Sequence, residues 1–217
     1  FGGRCAGQKN LAAALVAFEM AWVDGGAATS SLASLLGLAP VLRCGTEEQR
    51  RHYLPRLLPG AEQVRAAFAL TEPLPYAGVD KGVLSGKVRV AEWVEGEEPV
   101  LRVQKRGRFI TNMDFADVVT VAVESDDPRL FGSCMVILER GDQGTFDRGA
   151  VTRKLVHQLS STRDPVFDLL VPASRIVGGY RVEHGVIVPN HSHGRVLEAV
   201  FRRSRVPVGL MTSAKLL

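Results

Sequence analysis

The feature that most constrains the fold is the spacing of apolar residues, which changes twice along the chain. Over residues 8–58 the spacing is typical of helices. Over residues 66–188, short runs of β-forming residues are separated by Gly, Pro and Asp-Asp, and from about residue 192 the helical spacing returns. The clearest helical example is Leu11, Leu15, Phe18 and Trp22. The pattern predicts an α+β protein with β structure between two helical segments.

End signals divide the first segment into three predicted helices. The first stops at Asp24 and the two glycines after it, and the second covers residues 29–38 and is closed by Pro40. The third begins at Thr46, whose hydroxyl can cap the first turn while Gln49 reaches back to it, as in a capping box. In the last segment, Pro207 should kink the helix or remove one hydrogen bond.

The β segment shows no repeating alternation of strands and helices, which disfavours a Rossmann sheet and predicts an antiparallel β domain. Neither GxGxxG nor GxxxxGK[ST] occurs, so a nucleotide cofactor would not be held by either fingerprint. We therefore predict a helical region over residues 1–65, a β domain over residues 66–190 and a further helix over residues 191–217.

Composition excludes few function classes. The net charge of +4 over 217 residues is modest, and aromatic residues do not alternate with the basic clusters at residues 102–108 and 202–205, which disfavours nucleic-acid binding. We interpret both clusters as solvated faces. The most apolar stretch, residues 11–22, is interpreted as a core helix, and no membrane span is expected. Three widely spaced cysteines indicate a reducing compartment.

Two short segments carry the strongest functional pattern. Residues 68–73 read FALTEP and residues 108–112 read RFITN. Each places a threonine hydroxyl and several backbone amides at the end of an apolar, strand-like run, where they can hold the edge of a flat heteroaromatic ring. Either segment alone would be interpreted as an ordinary strand end with a threonine in a turn. The functional interpretation therefore depends on the occurrence of both segments. A metal site is not expected, because His191 and His193 supply too few ligands.

The pair resembles the flavin-gripping segments of the acyl-CoA dehydrogenase family. Two further segments agree with that family in chain order: GTEEQRRHYLP at residues 45–55 and VPASRIVG at residues 171–178. The resemblance covers nearly the whole chain. It implies the latter part of an N-terminal helical domain, a complete antiparallel β-barrel-like middle domain and the first helix of a C-terminal helical bundle. The chain is therefore expected to be a fragment of the full family fold.

The resemblance implies FAD as the cofactor and assigns the site residues. The first segment would line the pyrimidine edge of the flavin, and Thr111 of the second would approach N5. The usual serine of the pyrophosphate turn is replaced by Val79, and Arg202 replaces an acidic residue. The implied FAD contacts are Phe68, Ala69, Leu70, Thr71, Gly78, Val79, Phe109, Ile110 and Thr111, and the implied acyl-CoA contacts are Val79, Arg202 and Arg205.

The implied activity is FAD-dependent oxidation of an acyl-CoA to its 2,3-enoyl-CoA. Electrons would pass to an electron-transferring flavoprotein, and the full-length protein would be a homo-oligomer, a dimer or tetramer, in the cytoplasm or the mitochondrial matrix. The catalytic base stays unassigned: Ser204 aligns with one family position, Glu198 is interpreted as a surface charge, and the resemblance gives Glu72 a structural or flavin-loop role. Two alternatives stay open, a truncated or degenerate homologue that serves as a binding or assembly module, and a flavin oxidase, monooxygenase or reductase of the same fold.

Overall fold

The computed structural model describes residues 8–58, 64–75, 84–152 and 161–216. In that part of the chain, three helices precede the strands and one follows them: α1 (Lys9–Val23), α2 (Gly25–Cys44), α3 (Glu47–Tyr53) and α4 (His193–Leu216). Short 3₁₀ helices cover Pro55–Leu57 and Ala173–Arg175. The order of helices and strands confirms the predicted α+β class.

The second helix is longer than predicted at both ends. Asp24 does not merely stop α1, because its carboxylate caps α2 by accepting hydrogen bonds from the backbone N–H of Gly26 at 2.7 Å and of Ala27 at 2.9 Å. Pro40 was predicted to close this helix, but α2 continues to Cys44 with Pro40 buried inside it. Packing of that face against the protein outweighs the lost hydrogen bond. Pro207 likewise lies within a continuous α4.

The third helix begins as predicted. Gln49 N donates to Thr46 Oγ1 at 3.1 Å, and Thr46 N donates to Gln49 Oε1 at 3.1 Å, which completes the capping box.

The interpretation of residues 11–22 as a core helix is wrong for most of its large side chains, although Phe18 is partly buried and packs against the other helices. Leu11, Leu15 and Trp22 are each about half exposed, whereas Ala17 and Ala21 are buried. α1 meets the other helices through small residues, with Ala21 packed against Ala28 of α2 and Ala214 of α4. The alanines let the helix axes approach closely, whereas Leu11, Leu15 and Trp22 are left largely exposed.

Within the described residues, nine strands lie between α3 and α4. They are β1 (Ala66–Ala69), β2 (Lys87–Glu92), β3 (Val100–Arg106), β4 (Val118–Ser125), β5 (Ser133–Glu139), β6 (Gln143–Val151), β7 (Arg163–Pro172), β8 (Tyr180–Glu183) and β9 (Val186–Pro189). The first seven form one sheet in the order β1-β4-β2-β3-β7-β6, with β5 paired to β4, and β8 and β9 form a separate hairpin.

The predicted antiparallel sheet is in fact mixed, and the exception lies along β4. One edge of β4 pairs with β5 in antiparallel fashion. On the other edge, β1 pairs in parallel with residues 118–121 and β2 pairs in parallel with residues 124–125. Parallel pairs need long connections, which the stretch between these strands and β4 supplies. β1 and β2 therefore share one edge of β4, with a break between them.

The sheet is covered on one side by helices. One apolar core lies within the curled sheet, and a second lies between the sheet and helices α2 and α4. α2 reaches the sheet closely at Gly37, where the hydroxyl of Thr120 on β4 donates to the Gly37 carbonyl at 2.7 Å.

Among the described helices, α2 alone is long and apolar enough, by length and composition only, to cross a membrane. The core helix of a folded domain passes the same test, and Ser34 of α2 accepts a hydrogen bond from Ala66 N at 3.2 Å and from Asn112 Nδ2 at 3.0 Å. α2 is thus hydrogen-bonded to the β structure over its apolar length.

Candidate functional site

The two segments singled out from the sequence lie side by side. Residues 70–73 continue from the end of β1, and residues 107–112 follow β3. Arg108 N donates to the Thr71 carbonyl at 3.0 Å, and the Thr71 hydroxyl donates to the Arg108 carbonyl. Tertiary structure therefore joins two threonine-bearing segments that are far apart in sequence, and they form one surface.

Lys105 fills the break between β1 and β2 on the edge of β4. Its ammonium donates to the Leu70 carbonyl at 3.3 Å, to the Ala122 carbonyl at 2.9 Å and to Glu72 Oε1 at 2.6 Å. The Glu72 carboxylate also accepts from Ser85 N at 2.9 Å and from Gly86 N at 2.8 Å. One buried ion pair thus anchors the end of β1, the approach to β2 and the end of β3.

Burial and pairing act in opposite directions on the pKa values of this pair. Burial alone would raise the pKa of Glu72, but the hydrogen bond and charge of Lys105 and the two backbone N–H groups together lower it. Burial lowers the pKa of Lys105, and the hydrogen bond and charge of Glu72 oppose that effect. Both side chains are fully buried, and the arrangement holds an ionised carboxylate against an ammonium. Glu72 is consequently not available as an exposed base.

The second segment forms a strained turn around Phe109. Phe109 has φ of 58°, a left-handed conformation that bulky residues rarely adopt, and Asn112 has φ of 69°. Phe109 N donates to Asp164 Oδ1 at 2.8 Å, and Ile110 exchanges two backbone hydrogen bonds with Arg163 at 2.9 and 3.1 Å. The Phe109 ring is about half exposed, and the Arg108 guanidinium lies 4.6 Å from its centroid. Strain of this kind clusters at functional sites.

Asn112 anchors the other end of the turn. It is buried, and its Nδ2 donates to the carbonyl of Ala66 at 2.9 Å as well as to Ser34. Its backbone N donates to the Ser161 hydroxyl at 2.9 Å. Asn tolerates the left-handed conformation better than most residues, so this position suits it.

Thr111 lies between these anchors with its polar groups uncommitted. It is half-buried, and neither its hydroxyl nor its backbone N–H bonds to another residue in the described ranges. Across the same ranges the backbone N–H of Thr71 is also without a partner, whereas the Thr71 hydroxyl already donates to Arg108. Two N–H groups and one hydroxyl beside a half-exposed aromatic ring fit the polar edge and flat face of a flavin ring. The Thr71 hydroxyl itself would be left only as an acceptor.

The remaining predicted cofactor residues contribute little side-chain surface. Ala69 and Ile110 are buried in the core of the sheet, and Leu70 is buried in the core under the helices. Phe68 is half-buried and faces α4, where its ring meets Phe201 edge-on at 6.3 Å between centroids. Gly78 and Val79 lie outside the described residues.

The proposed acyl-CoA residues lie on α4. Arg202 and Arg205 are exposed, and neither forms an ion pair with another described residue. Ser204 is half-buried and Glu198 is exposed. The contact between Phe201 and Phe68 brings α4 beside β1, but no described contact links either arginine to Thr71 or Thr111.

The two outer motifs meet at Gln49. Its buried side chain donates to the carbonyls of Ser174 and Ile176, each at 2.7 Å, and accepts from Gly178 N at 3.1 Å. All of its hydrogen-bonding groups are satisfied, so both motifs have a structural explanation. A surface cleft of about 420 Å³ lies beside this junction, and its lining contains none of residues 68–73 or 108–112.

Sequence reasoning missed two residues of the site, Lys105 and Asp164. The cluster at residues 102–108 was interpreted as a solvated face, which is wrong for Lys105 because it lies on the inward face of β3 with Leu101 and Val103. That alternation was readable from the sequence. No comparable signal marks Asp164. Among the described residues, no group of three or more potential metal ligands occurs.

Comparisons with known proteins agree with the fold. The family model for the acyl-CoA dehydrogenase N-terminal domain matches residues 1–61. An acyl-CoA dehydrogenase of Bacillus subtilis (strain 168) is 32% identical over 168 residues, which make up 76% of this chain and 41% of the relative. An acryloyl-CoA reductase (NADH) of Anaerotignum propionicum is 36% identical over 155 residues, which make up 70% of this chain and 37% of the relative.

A solved structure gives the same result in three dimensions. The crystal structure of an acyl-CoA dehydrogenase complexed with FAD from Bacillus anthracis matches with a TM-score of 0.71 and 26% identity. The match covers 97% of this chain and 33% of that chain. The chain spans about 40% of the length of the two curated relatives, 41% of one and 37% of the other.

Proposed function

Because this chain belongs to the acyl-CoA dehydrogenase family, we propose that it forms the flavin-binding part of an FAD-dependent acyl-CoA dehydrogenase. The observation that carries the proposal is the junction of residues 70–73 with residues 107–112, where the hydroxyl and N–H of Thr111 have no hydrogen-bond partner among the described residues. The substrate class is an acyl-CoA thioester, which would leave as the 2,3-enoyl-CoA.

In this function the residues of the candidate site have defined roles. Bound FAD would supply N5 as the hydride acceptor. The backbone N–H of Thr71 and the hydroxyl and N–H of Thr111 would bind the polar edge of the ring, and the half-exposed Phe109 ring would exclude water from it. Arg202 and Arg205 offer exposed cations for phosphate or a polarised carbonyl. Gly78 and Val79 remain proposed pyrophosphate contacts.

The organisation that we propose has three parts: a helical region over residues 1–65, a flavin-binding β domain over residues 66–190 and a helix over residues 191–217 that begins a further helical domain. An electron-transferring flavoprotein as electron acceptor, a homo-oligomeric full-length protein and a cytoplasmic location belong to the same proposal. The cysteines support a reducing compartment, since Cys44 and Cys134 are both free.

The test is FAD binding by the wild-type chain and by Thr111→Val. Wild type is expected to quench the fluorescence of added FAD. Thr111→Val should raise the dissociation constant by roughly three- to tenfold, the effect of one lost hydrogen bond. Because hydrogen bonds at the flavin edge favour the reduced ring, the variant should also lower the flavin reduction potential.

Thr145→Val is the matched control. Thr145 is exposed on β6, so this substitution removes a threonine hydroxyl from a surface outside the site. If wild type and Thr111→Val have the same FAD affinity and the same flavin reduction potential, Thr111 is not part of the flavin site. No FAD binding by wild type would contradict the proposed function.

A reductase of the same fold is the second candidate, favoured by the 36% identity to the acryloyl-CoA reductase (NADH). The two functions differ in the direction of hydride transfer. Anaerobic addition of a saturated acyl-CoA to the full-length holoprotein bleaches the flavin of a dehydrogenase, whereas NADH followed by a 2-enoyl-CoA bleaches and then restores the flavin of a reductase.

A further inference from the structure

Asp164 makes a contact that neither the family resemblance nor the proposed cofactor contacts assign. Its Oδ1 accepts from Phe109 N at 2.8 Å and from the Thr152 hydroxyl at 3.0 Å. Asp164 stands at the start of β7, opposite the turn of residues 107–112, and Ile110 is paired to the neighbouring Arg163. The carboxylate therefore binds the one residue of the turn whose backbone is most strained.

That strain needs a compensating contact. A left-handed conformation at a bulky aromatic residue persists only where the surroundings impose it. At Phe109 the preceding residue is held by Thr71, and the following residue is held by Arg163. The remaining N–H, that of Phe109 itself, is held by an anionic acceptor, which forms a stronger hydrogen bond than a neutral one.

From this geometry we propose that Asp164 is a positioning residue, which holds the Phe109–Thr111 turn in the conformation that presents Phe109 and Thr111 to FAD. The identity of the ligand, FAD, rests on the proposed function, whereas the contact between Asp164 and Phe109 does not. We assign no contact between the Asp164 side chain and the flavin itself; Asp164 acts through its hydrogen bond from Phe109 N. Thr152 supports it by donating to the same oxygen.

Three variants separate positioning from a general structural role. Asp164→Ala removes the acceptor, and Asp164→Asn keeps an acceptor oxygen at Oδ1. Asp168→Ala is the matched control, because Asp168 lies on the same strand and forms its ion pair with Arg102, with Nε–Oδ1 at 2.8 Å and Nη2–Oδ2 at 2.7 Å.

The first measurement uses the chain without FAD. Hydrogen exchange of the Phe109 amide, followed by NMR, should be about tenfold faster in Asp164→Ala than in wild type, the effect of losing a hydrogen bond to a charged group. Asp164→Asn should restore most of the protection, and Asp168→Ala should not change it. Unchanged exchange in Asp164→Ala would overturn the inference.

The second measurement is the FAD dissociation constant. It should rise about tenfold in Asp164→Ala and stay within about twofold of wild type in Asp164→Asn and Asp168→Ala. Loss of thermal stability without loss of FAD affinity would overturn positioning in favour of a structural role. Failure of wild type to bind FAD would contradict the proposed function, and the exchange measurement would then decide the Asp164 contact by itself.

If Asp164→Ala does not fold, the Phe109→Gly background keeps the inference testable. Glycine adopts a left-handed φ without strain, so the turn no longer needs the carboxylate. Asp164→Ala should then fold and change FAD affinity by less than about twofold relative to Phe109→Gly alone. An undiminished loss of affinity in this background would overturn the inference.

Discussion

At the scale of single residues, the buried pair of Lys105 and Glu72 satisfies a hydrogen-bonding group that a neighbouring strand would satisfy in a continuous sheet. The β4 edge loses its strand neighbour between β1 and β2, and the Lys105 ammonium bonds the Ala122 carbonyl there. Gly86 leaves the space for this: a Cβ at that position would lie 2.6 Å from Lys105 Cδ and 3.2 Å from Glu72 Oε1. A small set of polar atoms thus closes the sheet at the candidate site.

Removal of one partner of this pair should be costly. Lys105→Met leaves the Glu72 carboxylate buried without its cation, and the free energy of unfolding should fall by about 3–5 kcal/mol. Urea denaturation followed by circular dichroism measures the change. The double variant Glu72→Gln/Lys105→Met should recover much of the loss, since no unpaired charge remains.

The control for this prediction is Arg102→Ala on the same strand. Arg102 pairs with Asp168 at the surface, where solvent screens the charges, so its loss should be much smaller. A loss for Lys105→Met no larger than that for Arg102→Ala would show that the buried pair is not essential to the sheet.

At the scale of elements, the close crossing of α2 over β1 links the candidate site to the helices. Ser34 and Gly37 of α2 face Ala66 and Thr120, and Asn112 of the strained turn also bonds Ser34. The turn is therefore anchored to a helix as well as to two strands. The absence of a side chain at Gly37 permits this close approach of α2 to β1.

Two glycine-to-alanine substitutions test the crossing. A Cβ at Gly37 would lie 2.8 Å from Ala67 N and 2.9 Å from Ala66 C, and these backbone atoms cannot move aside without shifting the strand. Gly37→Ala should therefore lower the free energy of unfolding by about 1–3 kcal/mol. At Gly209 of α4 a Cβ meets nothing within 4 Å, so Gly209→Ala should raise it by up to about 1 kcal/mol. Equal effects at both positions in thermal unfolding would refute the close packing.

At the scale of the whole molecule, the described residues offer surfaces for a cofactor, and the carboxylates that contact them are engaged, Glu72 in its ion pair with Lys105 and Asp164 in hydrogen bonds from Phe109 N and the Thr152 hydroxyl. Glu72 is buried in its ion pair, Glu198 is exposed on α4, and Ser204 cannot abstract a proton at neutral pH. The chain spans about 40% of the length of its curated relatives, 41% and 37%.

We expect residues 1–217 alone to bind FAD weakly but measurably and to show no dehydrogenation of acyl-CoA. Loss of a general base typically removes about 10²–10⁴-fold in rate, and an open site weakens every fixed dipole at the thioester. The measurement is reduction of an artificial electron acceptor by the chain with FAD and several acyl-CoAs. Clear turnover would reveal a base within this chain, with Glu198 the first residue to replace.

The sequence by itself determined that helical segments flank a β segment and in which order these segments occur, because apolar spacing and end signals are local properties. The capping box of Thr46 and Gln49, the helices on both sides of the strands and the α+β class were all readable in this way. The two threonine segments were readable as candidates, because residue type and order within a short stretch carry that pattern.

Only the tertiary structure decided which of those groups stay available for a ligand. The hydroxyls of Thr71 and Thr111 look alike in sequence, yet one is used by Arg108 and the other is not. Lys105 became a buried charge because β1 and β2 leave a gap on β4, and Asp164 reached Phe109 because β7 starts opposite that turn. These outcomes depend on pairing between strands far apart in the chain, and local residue patterns do not encode which carbonyl or N–H such pairing leaves unpaired.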